Sequence, residues 1–254
     1  MAGFHGKNWI WPMPSEISAP DDHLYRRRRV HGRRLGRPLH QVRVDALDLI
    51  LPQCIVGSEF LSEKGDVPPD SLFGMPVKKL HVEIGFGNGE HLHYIMRENP
   101  DDFFIGAEPF VNGMSAFLKD IPDPVPANIR VHMDDALMVL NSLTDESVDV
   151  LYILNPDPWP KSRHHKRRIV SEENLKVYAR VLKDGGLMVQ TTDVDELAEW
   201  MLTKTVNCPD FEWLAEKPED WKKAPNGWMA TRYENKGKDA GRSQTYLLYA
   251  RKSR

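Results

Sequence analysis

From residue 79 onward, short apolar runs alternate with amphipathic ones, and this rhythm constrains the fold more than any other feature of the chain. KLHVEIG, DFFIGAE, NIRVHMD, VDVLYILN and LMVQTTD each read as a strand. Each is followed by a segment with helical spacing: GEHLHYIMREN, NGMSAFLKDI, DALMVLNSL, VSEENLKVYARVLKDGG and VDELAEWMLTKT. In the first of these, Leu92, Ile95 and Met96 share one face. The fourth is expected to stop at Gly185 and Gly186. FEWLAE and SQTYLLYARK supply two final strands. Strand then helix, five times over, predicts an α/β fold: a mainly parallel seven-stranded sheet with helices on both faces. Such sheets bind ligands at the carboxyl ends of their strands. Chemistry is therefore expected at Glu83–Gly89, Glu108, Asp134–Asp135, Asn155–Lys161 and Thr192–Asp193.

The first strand runs into EIGFGNGEH, with glycines at 85, 87 and 89. Glycine there permits a tight turn and a close approach of backbone to ligand. The next strand ends in Glu108, 23 residues beyond Gly85, where an acid suits the ribose hydroxyls of a nucleoside. The spacing is GxGxG, not the GxGxxG of dinucleotide binders, and Glu83 precedes it. That pattern fits a ligand with a ribose, a positive end and no pyrophosphate, such as S-adenosylmethionine. Asp135 has two readings: a contact to the adenine amino group, or the N-cap of the helix DALMVL.

The fourth strand ends in NPDPWPKSRHHKRR, residues 155–168. Asp157 stands between two prolines, which fix φ and restrict the residues before them. Stiffness of this kind suits a site that must orient its groups closely. Lys161, Arg163, Lys166, Arg167 and Arg168 then place five cations in eight residues, although the chain as a whole has a formal charge of -3. A near-neutral protein does not coat nucleic acid everywhere, so a basic run beside a held aspartate points to a local phosphate contact.

Residues 1–50 differ from the remainder, 51–254. They carry nine Lys or Arg against five Asp or Glu, and no apolar period runs through DDHLYRRRRVHGRRLGR. They read as a flexible basic arm, either a solvated tail or a segment that orders on a polyanion. A helix is expected at about 41–52. No run approaches the roughly 18 apolar residues of a membrane span, and the N-terminus has no secretory signal pattern. Cys54 and Cys208 match no metal spacing, and two cysteines are too few for a disulfide framework, so a reducing cytoplasm is the expected location. No metal is expected: His91 and His93 are two apart on a helix, and His164 and His165 are adjacent.

Taken together, EIGFGNGEH, GAEPF, DPWPKSRHHKRR, TTDVDELAEWM and TRYENKG resemble the bacterial tRNA (guanine-N(7)-)-methyltransferase family over residues 79–254. PDPWPKxRHxKRR is specific to it, whereas GxGxG is shared by most class I methyltransferases. The resemblance implies a Rossmann-like class I methyltransferase domain with S-adenosylmethionine as methyl donor. It also implies tRNA as partner, with the variable-loop guanosine at tRNA position 46 as target. Glu83, Gly85, Gly87, Gly89, Glu108 and Asp135 would bind the cofactor, and Asp157 would be catalytic. Lys161, Asp193 and Thr231, Arg232, Tyr233 and Glu234 would meet the substrate. Arg163, His164, Lys166, Arg167 and Arg168 would lie along the RNA. Monomer and homodimer are both compatible with the sequence, as is a need for an activating partner.

Guanine N7 carries an in-plane lone pair and no proton at neutral pH, so its methylation needs alignment and electrostatics, not a general base. Carboxylates at Asp157, Asp193 or Glu234 would accept from the guanine N1–H and amine and select against adenine. Tyr233, in a polar loop, is expected to stack on the base; Trp159 suits either stacking or a core role. Two other functions compete: methylation of an exocyclic base amine, and non-catalytic RNA binding on the same fold. A nicotinamide oxidoreductase is disfavoured by the glycine spacing.

Overall fold

The computed structural model describes residues 31–32 and 34–253. Most of the arginine-rich arm, residues 1–30 with Arg33, lies outside them. The sheet contains β1 (Leu80–Ile84), β2 (Phe103–Ala107), β3 (Ile129–His132), β4 (Val148–Leu154), β5 (Leu182–Thr192), β6 (Phe211–Trp213) and β7 (Thr245–Arg251). Their order is β3-β2-β1-β4-β5-β7-β6. The first five strands pair in parallel, and β7 runs antiparallel between β5 and β6. The strand order reverses at β1 and β4, which brings the glycine turn and the PDPWP loop to the same edge.

Among the described residues, the helices of seven or more residues are α1 (Gln41–Leu49), α2 (Glu90–Glu98), α3 (Val111–Leu118), α4 (Ala136–Ser142), α5 (Glu172–Val181), α6 (Asp195–Val206) and α7 (Arg232–Asp239). Successive strand residues point to opposite faces, and the core divides accordingly. Phe104 packs with Leu47, Leu92, Ile95, Met114 and Phe117 from α1, α2 and α3. Ile105 packs on the other face with Leu137, Leu140, Leu175, Leu197 and Met201 from α4, α5 and α6. Each such side chain, when fully buried, contributes about 1.5–3 kcal/mol.

Two boundaries differ from expectation. The helix expected at 41–52 ends at Leu49, and a separate turn, Leu51–Cys54, carries Pro52 in its first positions. Proline has no N–H for the preceding turn and clashes with its carbonyl. The helix expected to run to Gly185–Gly186 ends at Val181. Its last carbonyls are taken from outside, by the backbone N–H groups of Glu146 and Ser147. Gly185, at φ 71°, instead sits in a register shift where β5 departs from β4.

Candidate active site

The carboxyl ends of the parallel strands open onto one cleft of about 680 Å3. Its walls include Glu83, Gly85, Gly87, Glu108, Asp134, Asp135, Asp157, Lys166, Arg167, Arg168, Thr231 and Tyr233. Gly85, Gly87 and Gly89 all take positive φ (70°, 60° and 80°). At Gly85 a Cβ would meet nothing within 4 Å, so the turn presents bare backbone to the cleft. At Gly89 a Cβ would collide with the Phe117 ring, so the turn is pressed against α3.

Glu108 closes the turn from the end of β2. Its Oε2 accepts from the Gly87 N–H (2.7 Å) and its Oε1 from the Phe110 N–H (2.8 Å). Burial pushes its pKa up to about 7; the two N–H donors oppose this, and the Asp157 and Glu83 carboxylates reinforce it. Glu83 is almost fully buried and lies 2.8 Å from Nδ1 of the equally buried His91. Asp135 does cap α4, accepting from the Leu137 N–H (3.0 Å), and it also lines the cleft, so capping does not withdraw it from the cleft wall. Beside it, Asp134 pairs with Arg34 (2.7 Å), a residue of the N-terminal segment.

The PDPWP loop is held at both ends by unusual backbone. Asn155 and Trp159 take positive φ (47° and 42°), so the aspartate between them stands in a sharply turned segment. The Asn155 N–H donates to Thr191 O on β5 (2.9 Å), and its side-chain oxygen accepts from Gln244 Nε2 (2.8 Å). The Asp157 side chain is exposed at the cleft mouth, and partial desolvation by the walls raises its pKa. The basic run forms a short 3-10 helix, Ser162–Arg167. Lys161, Arg163 and Lys166 are exposed and His164 is half-buried. The Arg167 guanidinium stands 5.0 Å over the Trp159 ring.

Arg168 departs from the expectation that it lies along RNA. It is only 3% exposed. Its Nε donates to Pro158 O (2.9 Å), one Nη donates to Glu196 (2.7 Å), and its guanidinium covers the Trp200 ring at 4.8 Å. It braces the PDPWP loop against α6 from within. With Nε and one Nη engaged and an indole beneath it, most of this guanidinium is taken by the loop and α6, although the residue still borders the cleft.

The TRYENKG segment is also placed differently from the expected polar loop. Thr231 caps α7 by accepting from the Glu234 N–H (3.2 Å), and Arg232 and Tyr233 fall in its first, exposed turn. Glu234 is 1% exposed. It accepts from Trp228 Nε1 (2.9 Å) and Tyr246 OH (2.6 Å) and pairs with Lys238 (2.9 Å). Burial would raise its pKa, but these three donors outweigh burial and hold it below the ordinary value. Glu234 therefore anchors α7 beneath the surface, while Tyr233, 56% exposed, presents its ring to the glycine turn. Asp193 accepts from Arg242 Nε (2.8 Å) beside Gly237, at the far end of α7.

Three supporting residues carry little signal in a single sequence. Gln244 acts through Asn155, 89 positions away, and His91 through Glu83 and the half-buried Trp228. Gly113 sits in α3, where a Cβ would come 2.5 Å from Gly87 O. Among the described residues no group of three or more His, Cys, Asp or Glu could hold a metal ion. No described helix is long and apolar enough to cross a membrane.

Residues 77–247 match the family described as "Putative methyltransferase". Curated relatives match over nearly their full length. A tRNA (guanine-N(7)-)-methyltransferase of Rhizobium johnstonii is 44% identical over 218 residues, covering 86% of this chain and 92% of that protein. The chain belongs to the tRNA (guanine-N(7)-)-methyltransferase family. Other members with that name show the same extent. That of Agrobacterium fabrum is 42% identical over 87% of this chain and 94% of its own length. That of Rhodospirillum rubrum is 39% identical over 89% of both. Among solved structures, the 16S rRNA methyltransferase KamB shares the fold, with TM-score 0.51 and 15% identity over 75% of this chain and 98% of that one.

Proposed function

We propose that this chain transfers a methyl group from S-adenosylmethionine to N7 of a guanine in tRNA, with Asp157 facing the base. The residues present fit an adenosyl ligand. The glycine turn leaves bare backbone at Gly85, and Glu83 near the end of β1 and Glu108 just after β2 place acids on the cleft. Glu108 would take the ribose hydroxyls and Asp135 the adenine amine. When bound, the cofactor supplies an electrophilic methyl on a sulfonium. The chain's own work is to align the base and to answer a positive charge that moves onto the guanine ring. Asp157, on a stiff loop at the cleft mouth, offers its carboxylate to that ring.

The single observation that carries this reading is the junction of Asp157 with an exposed basic helix on one rim of the cleft. Guanine N7 brings its own lone pair, so no residue need remove a proton. The test is methyl transfer from labelled S-adenosylmethionine to unmodified tRNA, with digestion to nucleosides. 7-Methylguanosine is expected; a methylated exocyclic amine instead would overturn the assignment of the base pocket.

The Glu108 titration predicts how cofactor affinity depends on pH. A carboxyl at about pKa 7 accepts hydroxyl donors best when ionised. S-adenosylhomocysteine is expected to bind more tightly from pH 6 to pH 8, by up to about tenfold, and then to level off. For stability the sign is opposite. The raised pKa gives a contribution that is complete below 4.5 and lost as pH climbs through about 7. Calorimetric titration across this range checks the first effect, and a flat profile would remove Glu108 from the ribose site.

The exposed cations predict the salt dependence of RNA binding. Each phosphate neutralised contributes roughly -0.7 to -0.9 to the log–log slope. Lys161→Ala with Arg163→Ala is expected to weaken tRNA binding and flatten that slope by about 1.5. Filter binding at several salt concentrations checks it, with S-adenosylhomocysteine affinity unchanged.

A further inference from the structure

We infer that His91 is a positioning residue that joins the cofactor acid Glu83 to the substrate-facing helix α7, so that filling either site tightens the other. The inference deepens the function proposed above and rests on it. His91 is the second residue of α2, immediately behind the glycine turn; Tyr152 stands edge-on to its ring at 4.7 Å, and Glu83 and Trp228 engage it as well. Nδ1 lies 2.8 Å from Glu83 Oε2, and with a carboxylate acceptor that nitrogen carries the proton. The ring itself packs against Trp228 at 5.4 Å. Trp228 then donates from Nε1 to Glu234, which is buried at the start of α7 and held again by Tyr246 OH.

The path from Glu83 to α7 thus contains one imidazole, one indole and one carboxylate, each in contact with the next. A second tether runs parallel to it: Tyr94, one helical turn after His91, donates to Gly227 O (2.7 Å). The ring of Tyr233 closes the circuit against Gly87 in the cleft. A ligand that draws on Glu83 therefore acts on the group that seats Trp228. A base that presses on Tyr233 acts through α7 on the same imidazole. Coupling between two binding sites is reciprocal by thermodynamic necessity.

A histidine that merely fills space predicts something else: substitutions would lower stability and affect both ligands alike. Two replacements separate the Glu83 contact from the Trp228 contact. His91→Asn places an amide nitrogen where Nδ1 stands, keeping the Glu83 contact and losing the face against Trp228. His91→Phe keeps that face and loses the hydrogen bond.

The experiment measures Kd for S-adenosylhomocysteine and for an unmodified tRNA transcript, each alone and with the other saturating. In the wild type the two are expected to strengthen each other by about fivefold or more. His91→Phe is expected to weaken S-adenosylhomocysteine by about tenfold, leaving tRNA alone within about twofold. His91→Asn is expected to do the reverse, weakening tRNA by about fivefold, and coupling should vanish in both. Trp228→Leu leaves the buried pair intact and should behave like His91→Asn, which keeps the idea testable if a His91 variant folds poorly. Independent binding in the wild type, equal loss of both affinities in the His91 pair, or coupling retained in Trp228→Leu would overturn the inference alone. A wild-type chain that binds no S-adenosylhomocysteine would overturn the proposed function and this inference with it.

Discussion

Asp157→Ala is expected to lower turnover by at least about a hundredfold, the scale on which removal of one preorganised electrostatic partner acts. The fold should survive, because the carboxylate is exposed and accepts no hydrogen bond from the described residues. The loop's shape is set by other groups: the positive φ of Asn155 and Trp159, the Gln244 amide and the Arg168 brace. S-adenosylhomocysteine should bind the variant at least as well as the wild type. Removing one negative charge relieves a contribution to the raised pKa of Glu108. Asp157→Asn should retain part of the activity, since an amide oxygen still accepts from guanine but brings no charge to the ring. Near-normal turnover in folded Asp157→Ala would move the base contact elsewhere on the rim.

The second large effect is expected where local rules predict the opposite. Gly113 lies in the first turn of α3, and replacing a helical glycine with alanine ordinarily gains about 1 kcal/mol. Here the new methyl would meet Gly87 O at 2.5 Å and the Glu108 side chain at 3.3 Å. The Gly87 oxygen is backbone and its N–H is already held by Glu108, so neither can move aside cheaply. Gly113→Ala is therefore expected to destabilise the protein by about 1–3 kcal/mol. It should also weaken S-adenosylhomocysteine by about tenfold or more, because the displaced backbone is the floor of the cofactor cleft. Thermal melting and calorimetric titration measure the two together. A raised Tm would show that α3 can shift without disturbing the turn.

Much of the architecture was legible because period and punctuation are local properties. A strand buried on both faces writes an apolar run, and a helix against it writes a stripe, so KLHVEIG and GEHLHYIMREN announced themselves. The glycine turn and PDPWP likewise carry their constraint within a few residues, as restricted φ or freedom from it. The boundaries failed where competition was long-range. The Gly185–Gly186 pair looked like a helix stop, but pairing of β4 with β5 claimed the residues just before it.

Residue type, spacing and chain order were enough to bring Glu83, Glu108, Asp135 and Asp157 to one sheet edge, because parallel topology sends every strand end to the same side. What sequence could not say was which charged groups would remain available there. Arg163 and Arg168 sit in one basic run, yet one is exposed and the other lies under the loop with Trp200 and Glu196. Tyr233 and Glu234 are neighbours, yet helical geometry turns one outward and the other into a buried cage of donors. Burial decides whether a charge meets solvent and ligand or is consumed by internal partners. Burial is a property of the packed chain, set by residues such as Trp200, Tyr246 and Gln244 that lie twelve or more positions away.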